Sequence, residues 1–251
     1  MHYNTKAPWL DMLYPDWSLE KFAEMDDPRI FKTHAPFELM PTQRDDESGL
    51  PAHGSVVYVA RNPKDACVSH FHHARAIHAF NYDGTWGDFI RRFLEGDVSQ
   101  VTLAQLISRE SAAISETVRW AQLEHGSWWG HHRRWWKAAQ EFPKRVHWVE
   151  YETLVADPIR TIGGLAAFLG WKRPAEYIER VAHGASFDVM LAQAGDQSKG
   201  RKAQESHTGH IRKGGVGGWK EYFTVEQSEA FDAVWEREMA SQGVTWQPTY
   251  P

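Results

Sequence analysis

Three segments of the chain carry cations and histidines where a fold could aim them at an anion: RIFKTHAPFELMP (29–41), SVVYVARNPKDACVSHFHHAR (55–75) and HIRKGGVGGWKEYFTVEQSE (210–229). In the first, Ile30-Phe31 leads into Lys32-Thr33-His34 and Pro36 stops regular structure, which reads as a strand end. Side chains alternate along a strand, so Lys32 and His34 share one face at the end where open α/β sheets bind ligands. A histidine near its unperturbed pKa can take a proton from a hydroxyl, and a neighbouring lysine can steady negative charge around a reacting centre. The alternative is a strand-end histidine satisfied by backbone beside a solvated lysine.

The second segment opens with the β-branched run Ser55-Val56-Val57-Tyr58-Val59-Ala60, a buried parallel strand by pattern, and passes directly into Arg61-Asn62-Pro63-Lys64-Asp65. Asn62 suits a helix N-cap, Pro63 the first helical position and Asp65 the first turn. A helix start offers free N–H groups and a positive dipole end, Arg61 adds a bidentate phosphate ligand, and Ser69 further along the helix could donate to the same anion. A capped surface helix with an ordinary arginine is the competing reading. In the third segment Arg212, Lys213, Gly214, Gly215, Gly217 and Gly218 precede Trp219, so that backbone amides could approach a phosphate beside two cations. No strand precedes this loop, so it is not a dinucleotide fingerprint, and a solvated loop is its other reading.

Together these motifs resemble the cytosolic sulfotransferases, from about Pro28 to about Met239 with one interruption. The family moves a sulfuryl group from 3′-phosphoadenosine 5′-phosphosulfate (PAPS) to a hydroxyl or amine of a small acceptor. KTHAPFELMP resembles its catalytic strand end, which implies His34 as general base and Lys32 as a transition-state contact. YVARNPKDACVS resembles its 3′-phosphate site and assigns Arg61 and Ser69 to that phosphate. VEYETLVADPIRTIGGLAAFLG (149–170) implies an adenine contact from Tyr151, and ASFDVM (185–190) implies further ones from Ser186 and Phe187. HIRKGGVGGWK resembles the signature that closes over the 3′-phosphate with Arg212, Lys213 and Gly214. Lys220, Thr224, Val225 and Glu229 fit the K-x-x-x-T-V-x-x-x-E pattern of the family's small dimer contact, which implies a homodimer.

Two departures qualify the resemblance. Nothing in residues 1–27 resembles the family's first strand and phosphate loop, of the type Tyr-Pro-Lys-Ser-Gly-Thr-Thr-Trp; MHYNTKAPWLDMLYPDWSLEKF looks instead like the linker and helix that follow the family's first helix. This leads us to expect a fragment, a shortened reading frame or an inactive protein, and keeps open a non-catalytic nucleotide-binding or dimerisation remnant. A phosphate-loop kinase relative is disfavoured, because its phosphate loop and Mg²⁺ ligands are absent as well. The second departure is an insertion in which Leu103, Leu106, Ile107, Ile114, Val118 and Ala121 follow helical spacing, so that about 101–124 reads as an amphipathic helix, either a lid over the acceptor or a helix packed outside.

Apolar runs place strands at about 28–33, 55–60 and 145–150, and helices at about 17–25, 63–79, 86–95, 101–124, 127–141, 158–169, 174–183 and 225–241. Strands separated by helices imply an α/β fold: a single domain over 1–251 with a parallel sheet flanked by helices, like the phosphate-loop NTPase-type sulfotransferase fold without its first strand and phosphate loop. The aperiodic stretch from Gly195 to Gly209 reads as a loop.

A hydrophobic share of 42% over 251 residues allows one α/β core. No apolar stretch is long enough to span a bilayer and no charged lead precedes an apolar h-region, so no membrane partner is expected. The formal net charge of −5 argues against general nucleic-acid binding and leaves the basic clusters to a small anion. One cysteine, Cys67, excludes an internal disulfide framework and fits a reducing, cytoplasmic compartment; it is expected on the buried side of its helix. His70, His72, His73, His131 and His132 raise the possibility of zinc, but only His70 and His73 share a helix face and no acidic or cysteine ligands recur, so no metal is expected. Trp128, Trp129, Trp135 and Trp136 repeat at seven and read as core packing or the wall of an apolar acceptor pocket.

Overall fold

The computed structural model describes residues 7–8, 10, 21–22, 24–40, 54–76, 82–95, 127–198 and 213–250. Among them two parallel strands pair, β1 (Val56–Ala60) and β2 (Val146–Glu150), with Val56 opposite Val146 and Ala60 opposite Glu150. The described helices are α1 (Pro63–Ala76), α2 (Trp86–Glu95), α3 (Trp128–Glu141), α4 (Tyr151–Ala156), α5 (Pro158–Phe168), α6 (Ala175–Gly184), α7 (Phe187–Ser198) and α8 (Val225–Glu238).

Alternation along β1 decides where the core lies. Tyr58 and Ala60 are 8% and 0% exposed whereas Val57 and Val59 are 37% and 54% exposed, so the core builds on one face of the sheet. Helices α1, α2, α3 and α8 cover that face with Cys67, Phe71, Phe89, Phe93, Trp129, Trp135, Phe231 and Trp235, and Trp246 closes it. Tyr58 stacks on Trp148 at 4.9 Å and on Trp135 at 5.5 Å between ring centroids. An aromatic side chain buries roughly 200 Å², on the order of 5 kcal/mol at ~25 cal/mol per Å², so these rings dominate the energetics of the core. On the other face His147 stacks on Phe168 of α5 at 4.7 Å.

Helix starts follow the side chains that can cap them. Asn62 Oδ1 accepts from Asp65 N at 2.7 Å, Ser127 Oγ from Gly130 N at 3.0 Å, and Asp157 Oδ1 from Arg160 N at 3.1 Å with Pro158 next in line. Thr224 and Gln227 form a reciprocal capping box at α8.

The strand expected at 28–33 is not formed. Lys32 makes a single bridge, donating its N–H to Pro8 O at 2.8 Å and accepting from Leu10 N at 2.8 Å. Pro28 and Pro36 bracket the segment and Thr33 Oγ1 takes the Ala35 N–H at 2.9 Å, which turns the backbone away from ladder pairing. The stretch expected as a loop from Gly195 is helical through Ser198, because a polar helix end carries no apolar stripe to reveal it. Helix α4 carries no separate signal, as it is a short turn between the strand and the Asp157-Pro158 start of α5. Of the expected helix 17–25, residues 21 and 22 are helical and 24 is a turn. The expected helix at 101–124 lies outside the described residues. None of the described helices is long and apolar enough to cross a membrane.

Candidate functional site

Arg61 follows the last residue of β1 and Asn62 caps α1, so the strand delivers the guanidinium to the head of the helix. Arg61 Nη2 donates to Gly215 O at 3.1 Å, and its guanidinium lies 4.6 Å from the centre of the Tyr151 ring. Its Nε is buried without a hydrogen-bond partner, a donor that an anion would satisfy. Arg61, Ala66, Ser69, His70 and His73 line one cavity of about 300 Å³. Burial, and secondarily the neighbouring His73, push His70 down to about 4.

The glycine loop folds onto this corner. Gly214 has φ of 63°, and a Cβ there would collide with the Phe187 ring, so the two residues fit only while position 214 has no side chain. Ser186 and Phe187 are half-buried at the start of α7, where Ser186 O accepts from Met190 N at 3.0 Å. Lys213 is exposed and its ammonium pairs with Glu221. Arg212 lies outside the described residues. Of the glycine amides expected to approach a phosphate, that of Gly217 donates instead to Asp65 at 2.7 Å, and Trp219 N donates to the same carboxylate at 2.9 Å.

Lys32 and His34 sit on a half-buried strap that α3 holds from above. His131 Nε2 donates to the His34 carbonyl at 3.1 Å, Trp135 Nε1 to Ala35 O at 3.3 Å, and Arg134 pairs with Glu38 at 2.7 Å. Since a carbonyl only accepts, His131 carries a proton on Nε2, which leaves Nδ1 to accept a hydrogen bond from the Tyr58 hydroxyl, 2.8 Å away. Tyr58 on β1 precedes Arg61, just past the strand's end, by three residues, about 10 Å of extended chain, so the strap and the anion corner hang from one strand. Burial lowers the Lys32 ammonium from its ordinary value.

The link from Tyr58 through His131 to the strap was missed in the sequence, where spacing showed only a His-His pair on a tryptophan-rich helix. The Asn62 cap expected at α1 forms, accepting from Asp65 N, and its backbone N–H and Nδ2 both donate to Glu152 Oε1, at 2.9 and 2.8 Å, a buried link that no motif announced. Among the described residues no three potential ligands gather to hold a metal ion. His132 stacks on Trp128 at 3.7 Å and donates to Trp128 O, and burial keeps its pKa well below the ordinary value. Trp129 and Trp135 are core residues, each 2% exposed. Lys220, Thr224, Val225 and Glu229 form an exposed row in which Val225 is 77% exposed.

A family model described as sulfotransferase domain matches residues 1–243. Sulfotransferase 1A1 of Mus musculus is 31% identical over 246 residues, covering 96% of this chain and 74% of the relative. Sulfotransferase 1B1 of Mus musculus is 29% identical over 242 residues, covering 94% and 70%. The crystal structure of mouse sulfotransferase SULT7A1 complexed with PAP superposes with a TM-score of 0.65 at 26% identity, covering 90% of this chain and 70% of that one. Retinol dehydratase in complex with androsterone and inactive cofactor PAP shares the fold, with a TM-score of 0.66 at 23% identity over 90% of this chain and 58% of that one.

Proposed function

The chain belongs to the sulfotransferase family, and from that premise we propose that it moves a sulfuryl group from PAPS to a hydroxyl or amine of a small acceptor. The observation that carries this reading is the buried, unpartnered Nε of Arg61, in a cavity shared with Ser69 at the head of a capped helix. The PAP bound in the mouse relative's structure supports a ligand of the same kind here.

In this reading Arg61 and Ser69 hold the 3′-phosphate, joined by Arg212, Lys213 and Gly214. Tyr151, Ser186 and Phe187 border the adenine, and the packing of Phe187 on Gly214 ties the two sides together. The donor supplies, when bound, an activated sulfuryl group. His34 takes the proton from the acceptor oxygen or nitrogen, and Lys32, partly stripped of water, steadies the negative charge that develops. The chain acts as one domain in the cytoplasm, in keeping with its single cysteine, Cys67, being buried and free. The exposed row of Lys220, Thr224, Val225 and Glu229 pairs two copies across a two-fold axis.

Two substitutions test the assignment. Adenosine 3′,5′-bisphosphate is expected to raise the melting temperature more than adenosine 5′-monophosphate does, and Arg61→Ala to remove most of that difference. His34→Ala is expected to abolish sulfuryl transfer across a panel of phenols, alcohols and amines while leaving bisphosphate binding nearly intact. Equal shifts for the two nucleotides would reject the phosphate site. Bisphosphate binding by a wild-type chain inactive across the whole panel would favour a non-catalytic nucleotide-binding module.

A further inference from the structure

A carboxylate at the head of α1 repels an anionic ligand unless its charge is directed elsewhere. Asp65 is 2% exposed, and both of its oxygens are used inside the protein. Oδ2 accepts from Gly217 N at 2.7 Å and Asn62 Nδ2 at 3.0 Å, and Oδ1 accepts from Trp219 N at 2.9 Å. Asn62 in turn donates twice to Glu152 Oε1, so the cluster is anchored on α4 behind β2. Gly217, at φ of 78°, takes the left-handed turn of the loop beside these bonds. Arg61, reaching Gly215 O from the same strand–helix junction, closes a ring of contacts around the loop. The Asp65 charge is therefore absorbed by loop amides, and the loop is tied to the anion corner by Asp65 and Arg61.

We propose that Asp65 is a positioning residue that latches the 213–219 loop onto the anion corner, so that Lys213, Gly214 and Arg61 meet the 3′-phosphate as one preorganised unit. The proposal rests on the reading of that corner as the 3′-phosphate site. Hydrogen bonds from N–H to a carboxylate are among the stronger ones in proteins, and losing the acceptor leaves two loop amides unpaired. The loop must then be ordered at the expense of binding free energy, which weakens the ligand that needs it.

The test is calorimetric titration of the full chain with adenosine 3′,5′-bisphosphate and, separately, adenosine 5′-monophosphate, together with hydrogen exchange of the loop. Asp65→Asn places an amide donor against a loop amide. It is expected to weaken the bisphosphate by about tenfold or more, to change the monophosphate little, and to speed exchange at Gly217 and Trp219. Asn62→Ser keeps an acceptor for the Asp65 N–H while removing the Nδ2 donor that orients Oδ2, and is expected to show a smaller change in the same direction. Equal weakening of both nucleotides, as a merely structural role gives, overturns the latch; so does wild-type bisphosphate affinity in Asn62→Ser, a readout that stands even where Asp65→Asn fails to fold. Arg61→Ala separates the two ideas. If it leaves bisphosphate affinity unchanged, the phosphate reading itself fails; if it weakens binding while both latch variants bind and exchange like the wild type, only the latch fails.

Discussion

Residue chemistry in this chain is set by what each side chain has given up to its neighbours. His131 is committed on both ring nitrogens, to the His34 carbonyl and the Tyr58 hydroxyl, so its tautomer is fixed by the fold. His131→Ala is expected to lower kcat about tenfold or more with the KM for the donor unchanged, because it loosens the strap carrying His34 and touches nothing at the anion corner. A matched rise in donor KM would show that the two corners are not separate. Gly214→Ala combines a positive φ with a collision against Phe187, and both penalties fall on the loop. We expect it to lower bisphosphate affinity and the melting temperature together, and an unchanged titration would mean that Phe187 and the loop move apart freely.

At the scale of elements, α3 is the part that turns a proline-bracketed strap into an ordered segment. It supplies three side chains to residues 34–38, and its own start depends on Ser127. The exposed Arg134–Glu38 pair contributes little, so the buried Trp135 and the half-buried His131 carry the strap. Ser127→Ala is expected to cost about 1 kcal/mol in urea unfolding, as for the loss of an N-cap. Strand β1 and the helices that flank it were legible because β-branched runs, caps and apolar spacing are local signals. The Lys32 segment read as a strand because a strand and a bridged strap share the same short apolar run; what differs is the partner, which lies at Pro8 and Leu10.

At the scale of the whole molecule, two buried histidines among the described residues are expected to shape the response to acid. Both His70 and His132 are held below the ordinary value, chiefly by burial. The unfolded chain therefore takes up protons near pH 6.5 that the native chain refuses. Stability is expected to be highest above about pH 7.5, to fall as pH drops through 6.5 and, for His70, to level off near 4, a loss of roughly 3 kcal/mol from that residue. Chemical unfolding between pH 8 and 4 checks this, and His70→Phe should flatten the slope. The contact of the proposed dimer is the exposed row around Val225. Sedimentation is expected to show a dimer that Val225→Glu dissociates; a dimer indifferent to that change would place the interface elsewhere.

Sequence by itself determined the family, the strand-to-helix junction at Arg61 and the side chains able to meet an anion, because strand runs, helix caps and cation-rich loops are written in neighbouring residues. Only the tertiary structure decided how those side chains are held. Asp65 meets Gly217 and Trp219 across 152 and 154 residues, and Tyr58 meets His131 across 73. Contacts at such separations leave no periodic trace along the chain, since each partner satisfies its own local pattern before the fold brings the two together.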